Sequence, residues 1–237
     1  MSVRHRLRAA HRFLTEHLFY PLVLSSAVTC AILAARIVRA ERMTFLFLVW
    51  NLILAWMPYL FSLWAALIQR RRPHAWWRLL LPGALWLLFF PNAPYLVTDF
   101  LHLRERPPVP MWYDVGLLAA FAWSGFFLAV ASLHVMQTLV RRVGGALVSW
   151  LFVLGAVGLS GLGVYLGRFE RWNSWDLLLF PHAVLADALR PLLYPAQHIH
   201  PLAASGLFAA LLLICYVMLA AVYQGGRAVT LARDEEP

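Results

Sequence analysis

Met43–Arg72 reads MTFLFLVWNLILAWMPYLFSLWAALIQRRR. From Met43 to Ile68 the run carries no charged side chain, and Arg70-Arg71-Arg72 closes it. At about 1.5 Å per helical residue, such a run exceeds the roughly 30 Å hydrocarbon core of a bilayer. An arginine triplet directly beyond an apolar run marks a short cytoplasmic loop. The chain is therefore read as crossing a membrane here, with residues 70–72 inside.

Working outward, five further segments qualify on the same length argument: Tyr20–Val38, Arg78–Val97, Trp112–Val140, Ala146–Leu166 and Leu202–Tyr223. The expected fold class is all-α, a polytopic transmembrane helical bundle of about six spans. Residues 1–19 form a basic cytoplasmic segment, residues 20–223 the six-span domain and residues 224–237 a cytoplasmic tail. Arg4, Arg6, Arg8 and Arg12 precede the first run, but no small-x-small cleavage site follows and the run continues to Val38. The reading is a retained first span with a cytoplasmic amino terminus.

Composition agrees. Hydrophobic residues make up 62% of the chain and charged residues 13%, against roughly 25% charged in an ordinary soluble domain. Too few charges remain to clothe a water-facing surface. The formal charge is +9, and every basic residue counted in it is arginine. Because these arginines cluster at the ends of apolar runs, they report membrane topology rather than a nucleic-acid groove. Away from the tails, the acids Glu41, Asp99, Glu105, Asp114, Glu170, Asp176 and Asp187 fall on the outer side. Cys30 and Cys215 lie mid-run and read as small hydrophobes, so no disulfide framework is expected.

Three outer constellations carry possible chemistry. The first is Phe90-Pro91-Asn92-Ala93-Pro94-Tyr95 through His102. Pro91 and Pro94 each remove a backbone donor, so the third span is expected to break near Phe90, about 20 Å from Arg78. Broken backbone at membrane depth is tolerated only against protein or a wet cavity, and transporters place binding sites at such breaks. Asn92 either satisfies the loosened backbone or faces a ligand, with Tyr95 beside it. If helix resumes, Asp99 and His102 share a face and form an acid–base candidate pair. The plainer alternatives are a packed kink and a solvated histidine.

The second is Gly167-Arg168-Phe169-Glu170-Arg171-Trp172-Asn173-Ser174-Trp175-Asp176, after a fifth span rich in glycine (Gly155, Gly158, Gly161, Gly163). Those glycines suit close helix packing. Arg168 and Arg171 suit a phosphate or carboxylate through their forked donors, or else pair with Asp99, Asp114 or Asp176. Asn173 or Ser174 is expected to cap a short helix from Trp175, with Asp176 in its first turn and Pro181 kinking or ending it. That helix is expected to lie in the membrane interface within the last outer loop. The third constellation is Trp112-Tyr113-Asp114, where Asp114 is a helix cap or joins Asp99 and Arg168. No acid or arginine occupies the centre of a span, which disfavours an ion-coupled transporter. The histidines make no HExxH, and no metal site or other cofactor is assigned.

Asn51–Pro58, Phe90–His102, Trp112-Tyr113-Asp114, and Gly167–Phe169 with Arg171–Asp176 resemble an uncharacterised bacterial family, the integral-membrane domain of unknown function thirteen sixty-one. The resemblance runs from about the second span to the end. It implies a bacterial multi-pass membrane protein and brings no activity, cofactor or catalytic residue.

The expectation is an inner-membrane bundle with both termini cytoplasmic and a polar site opening outward. Asp99, His102 and Asp114 are the candidate acid–base groups. Asn92, Tyr95, Arg168, Arg171, Trp172, Asn173 and Asp176 are the candidate binding groups, and an anionic lipid headgroup or envelope precursor is the candidate ligand. The competing class is a channel, permease component or assembly factor whose polar cluster is structural.

Overall fold

The structure is a computed structural model that describes residues 3–234, so the last residues of the expected tail, Glu235–Pro237, lie outside it. Among the described residues no strand forms, and Arg106 and Val109 make an isolated antiparallel bridge. Helix α1 (Val3–Glu16) precedes α2 (Phe19–Ala40) and α3 (Phe47–Arg71). A 3-10 turn at Trp76–Leu79 leads into α4 (Leu80–Phe89). Then come α5 (Asn92–Tyr95), a 3-10 segment Leu96–His102, and α6 (Met111–Arg168). Helices α7 (Asp176–Leu179), α8 (Pro181–Leu193) and α9 (Ile199–Asp234) complete the chain.

Five stretches are long and apolar enough to cross a membrane: Phe19–Ala40, Phe47–Arg71, Trp76–His102, Met111–Arg168 and Ile199–Val222. The fourth contains 58 residues. Drawn straight it would run roughly 90 Å, about three hydrocarbon thicknesses. It turns back instead at Gly145, where φ is 78° and ψ is −172°. A side chain is strongly disfavoured in that region of backbone space, which is essentially reserved for glycine. Gly125 on one arm and Gly163 on the other both meet the turn at Pro91–Ala93. Positions similarly far from Gly145 on either side therefore lie side by side, and α6 is a helical hairpin. Its arms are the fourth and fifth segments expected from sequence.

The hairpin is the hub of the bundle, packing on α2, α3, α5 and α9. Trp86, Tyr59, Phe121, Leu117, Leu118 and Tyr165 fill the interior, and Trp86 stacks on Phe90 with centroids 4.5 Å apart. The flanks are equally apolar: Leu24, Ile53, Leu60, Trp123, Leu151 and Met218 point outward. Exposed apolar surface this continuous suits lipid, not water.

Small polar groups join the helices. Ser124 on α6 bonds Ser25 at 2.8 Å and Thr29 at 3.0 Å on α2, and Trp56 Nε1 on α3 donates to Ser26 at 3.0 Å. Each such bond satisfies a polar group that hydrocarbon would leave bare, worth about 0.6 kcal/mol on average.

The third stretch breaks where the prolines require. Helix α4 stops at Phe89, and the chain resumes in the short turn of α5. Of the glycines beyond the hairpin turn, Gly161 and Gly163 sit at close contacts. A Cβ at Gly161 would lie 2.8 Å from the Ser205 carbonyl oxygen, and one at Gly163 would lie 2.5 Å from Pro91. Gly155 and Gly158 face open space, so close packing accounts for only part of that row. Helix α8 starts on Pro181, whose missing N–H costs nothing at a first helical position. It buries Val184 and Ala188 and exposes Leu185 and Leu189. Its 13 residues are too few to cross.

Gly145→Ala forces a side chain into a disfavoured backbone region and is expected to destabilise the fold by about 1–3 kcal/mol. Thermal unfolding in detergent micelles measures this, and a melting temperature equal to that of the unaltered protein would remove the hairpin turn from the account.

Candidate functional site

The break in the third stretch builds the site. Phe90 N–H still closes a helical bond to the Trp86 carbonyl at 2.8 Å, but Ala93 N–H reaches only to Phe90 at 3.2 Å, a tighter turn. Asn92 Nδ2 donates to the Phe89 carbonyl at 2.9 Å and to Ser174 Oγ at 2.7 Å. Asn92 thus satisfies a carbonyl that the proline-broken helix leaves open, and it ties that break to the loop carrying Ser174.

From Leu96 to His102 the backbone is 3-10, where side chains at i and i+3 eclipse. Asp99 and His102 therefore face the same way, and both meet Arg168 at the end of α6. Arg168 Nη1 lies 3.9 Å from Asp99 Oδ1, and Arg168 Nη2 lies 3.2 Å from His102 Nδ1. A guanidinium only donates, so His102 Nδ1 accepts and the ring proton sits on Nε2. Asn51 Nδ2, from α3, donates to Asp99 Oδ2 at 3.0 Å. The Asp99 side chain is 2% exposed and that of Arg168 14%. Asp99, His102 and Arg168 are thus brought together. Asn51 holds one carboxylate oxygen by a hydrogen bond, Arg168 faces the other at ion-pair distance, and Phe47 packs against His102 with ring centroids 5.1 Å apart.

Asp114 does not join it. Arg36, on α2, grips Asp114 through Nε to Oδ1 at 2.7 Å and Nη2 to Oδ2 at 3.0 Å, with both side chains 1% exposed. Arg36 and Arg106 also stack on Phe45, 4.4 and 4.7 Å from its centroid. In the sequence, Arg36 was legible only as an arginine near the end of the Tyr20–Val38 run. Its one distinguishing signal is the neighbouring Ile37-Val38, which keeps the arginine inside the apolar run.

Arg171 and Arg168 point to different places. Arg171 adopts a left-handed φ of 60°, and the chain turns so that Trp172 N–H reaches the Leu166 carbonyl at 3.0 Å. Asp176 accepts from the Asn173 backbone at 2.7 Å and its side-chain amide at 3.1 Å. That reverses the expected cap: the acid reaches back to the loop, and neither Asn173 nor Ser174 caps α7. Trp172 Nε1 donates to Asp187 at 2.9 Å, fastening the loop to α8.

A cavity of about 660 Å³ opens beside the break, between α3, α4, the second arm of α6 and α8. Leu54, Leu87, Leu88, Leu159, Leu162 and Leu166 form its walls. Asn92, Tyr95, Arg171, Trp172, Asn173 and Ser174 supply its polar side. Asp99, His102, Asp114, Arg168 and Asp176 do not line it. Asn51 belongs to both places, lining the cavity and bonding Asp99. As a lone amide within an apolar run, it was visible in the sequence but carried no signal of its partner. Arg171 is exposed and makes no ion pair among the described residues. No three His, Cys, Asp or Glu side chains gather there to hold a metal ion, again among the described residues.

The Arg36–Asp114 pair makes an asymmetric prediction. Asp114→Leu leaves a buried guanidinium unpaired and is expected to cost about 3–5 kcal/mol, whereas the double variant Arg36→Met/Asp114→Leu is expected to fold close to normally. Unfolding midpoints in micelles compare the two, and a double variant as unstable as the single would refute the pairing argument.

No curated protein and no solved structure matches the chain. Residues 50–219 match the family described as Protein of unknown function (DUF1361), and the chain, an all-α polytopic bundle by its architecture, belongs to that family.

Proposed function

We propose that this chain is a bacterial plasma-membrane protein that recognises an anionic amphiphile, a lipid headgroup or a cell-envelope precursor, on the outer side of the membrane. The observation that carries the reading is the cavity beside the Pro91 break. Leucines wall it, and Arg171, a cation without an acidic partner among the described residues, stands with the amides of Asn92 and Asn173 on its polar side. Apolar walls suit a hydrocarbon chain, and a forked guanidinium suits phosphate or carboxylate oxygens.

Orientation rests on charge. Arg70 and Arg71 end α3 with Arg72 just beyond, and Arg141 and Arg142 precede the hairpin turn, while Asp99 and Asp114 lie at the other end. The positive-inside rule then puts both termini in the cytoplasm and the cavity outside. In this reading Asp99, Arg168 and His102 hold the broken stretch to α3 and α6. The engagement of both Asp99 oxygens favours that holding role over acid–base catalysis.

Arg171→Ala is expected to weaken retention of phosphatidylglycerol by about tenfold, the loss of one charge-assisted contact, while leaving phosphatidylcholine unaffected. Native mass spectrometry of the detergent-solubilised protein reads the bound lipid, and equal retention by the variant would end the anion-site reading. Topology has its own test. A Glu105→Cys protein lacking Cys30 and Cys215 should react with a membrane-impermeant maleimide in intact cells, and labelling only after lysis would invert the orientation.

A further inference from the structure

The end of the bundle remote from Asp99 carries a second cavity, of about 490 Å³, between the α1–α2 corner, α3, the first arm of α6 and α9. Phe13, Leu139 and Leu219 give it an apolar wall, and Arg70, Arg142 and His17 bring polar groups to it. One acid is present: Glu16 contacts Arg70 at 3.5 Å, with side chains 49% and 54% exposed. Water screens so open a pair, leaving it worth little. Arg142 makes no ion pair among the described residues. The cavity therefore combines an excess of guanidinium charge with hydrocarbon.

The corner that bounds it is built firmly. Leu18 takes a left-handed φ of 63° between α1 and α2, and Tyr59 OH donates to the His17 carbonyl at 2.8 Å. His17 Nδ1 lies 2.7 Å from the Phe13 carbonyl, which can only accept, so Nδ1 carries the proton. Helix α1 continues away from the corner with Arg4, Arg6, Arg8 and Arg12 all exposed. A cationic helix of this kind suits an anionic lipid surface.

We infer that this second cavity binds the phosphate of an anionic phospholipid between Arg70 and Arg142, with acyl chain against Phe13, Leu139 and Leu219. Two forked donors match phosphate oxygens. The apolar wall selects a lipid over a free phosphate ester. The site shares no residue with the cavity at Arg171, so either can fail without the other.

Native mass spectrometry of the full chain in the Arg171→Ala background isolates this site, with dioleoyl phosphatidylglycerol as probe and dioleoyl phosphatidylcholine and glycerol phosphate as controls. Phosphatidylglycerol should be retained over both controls. Adding Arg70→Ala/Arg142→Ala should cut its retention by about tenfold or more, one to two charge-assisted contacts. Thr138→Trp fills the cavity with both arginines in place and should cut retention similarly, so a folding defect in one variant does not decide the matter. Undiminished binding in both variants overturns the inference. Glycerol phosphate binding as well as the lipid overturns its lipid part, and phosphatidylcholine binding as well overturns its anionic part.

Discussion

Two prolines three positions apart interrupt a helix inside an apolar bundle, and the contacts of that interruption organise the molecule. Backbone groups freed at such a break have no water to turn to in hydrocarbon, and leaving them bare costs several kcal/mol each. The chain meets the demand with protein. Asn92 satisfies the Phe89 carbonyl, and the two arms of the α6 hairpin close on the turn from either side. Gly163 gives Pro91 room, and Gly125 lets the Ala93 carbonyl approach so closely that any Cβ there would collide. The cavity walls, the position of Asn92 and the exit of the 3-10 segment toward Asp99 all stem from that wedge.

Charge is handled in two ways within one end of the bundle. Arg36 and Asp114 meet with two short, parallel bonds and are sealed from solvent. That geometry offsets much of the desolvation both ions suffer, and removing either partner alone would leave the other charge buried and unpaired. Phe45 adds ring face to both Arg36 and Arg106, a contact worth about 2 kcal/mol for the buried Arg36 and less for the half-buried Arg106. Asp99 and Arg168 are looser at 3.9 Å, and neutral groups complete the arrangement: the Asn51 amide on the acid and the His102 ring nitrogen on the guanidinium. The first pair fastens α2 to the start of α6. The second fastens the third stretch to both α3 and the end of α6.

The polar ends therefore differ in kind. At the Asp99 end, acids and arginines neutralise one another and the cavity retains a single unpaired guanidinium among the described residues. At the opposite end, arginines outnumber acids and the largest concentration of positive charge lies on α1 and the α3 terminus. Between them the helices are joined by small hydroxyls and the Trp56 indole, which fill hydrogen-bonding needs without placing an ion at mid-depth.

The sequence by itself determined the all-α polytopic architecture, because runs of about 20 apolar residues read as spanning helices. It also located the third-stretch break, since proline's missing donor is a local covalent fact. The spacing of Asp99 and His102 was legible for the same reason, once the short 3-10 repeat is granted. What lay across the bundle was not legible. Arg36 as the partner of Asp114, Asn51 as the partner of Asp99, and the separation of Arg168 from Arg171 depend on which helix faces which, and at what depth. Nearly every face of these helices is apolar, so the pattern that distinguishes inside from outside in a water-soluble protein is faint here. Only the tertiary packing, set by glycine contacts and a handful of polar pairs, decided which side chains meet.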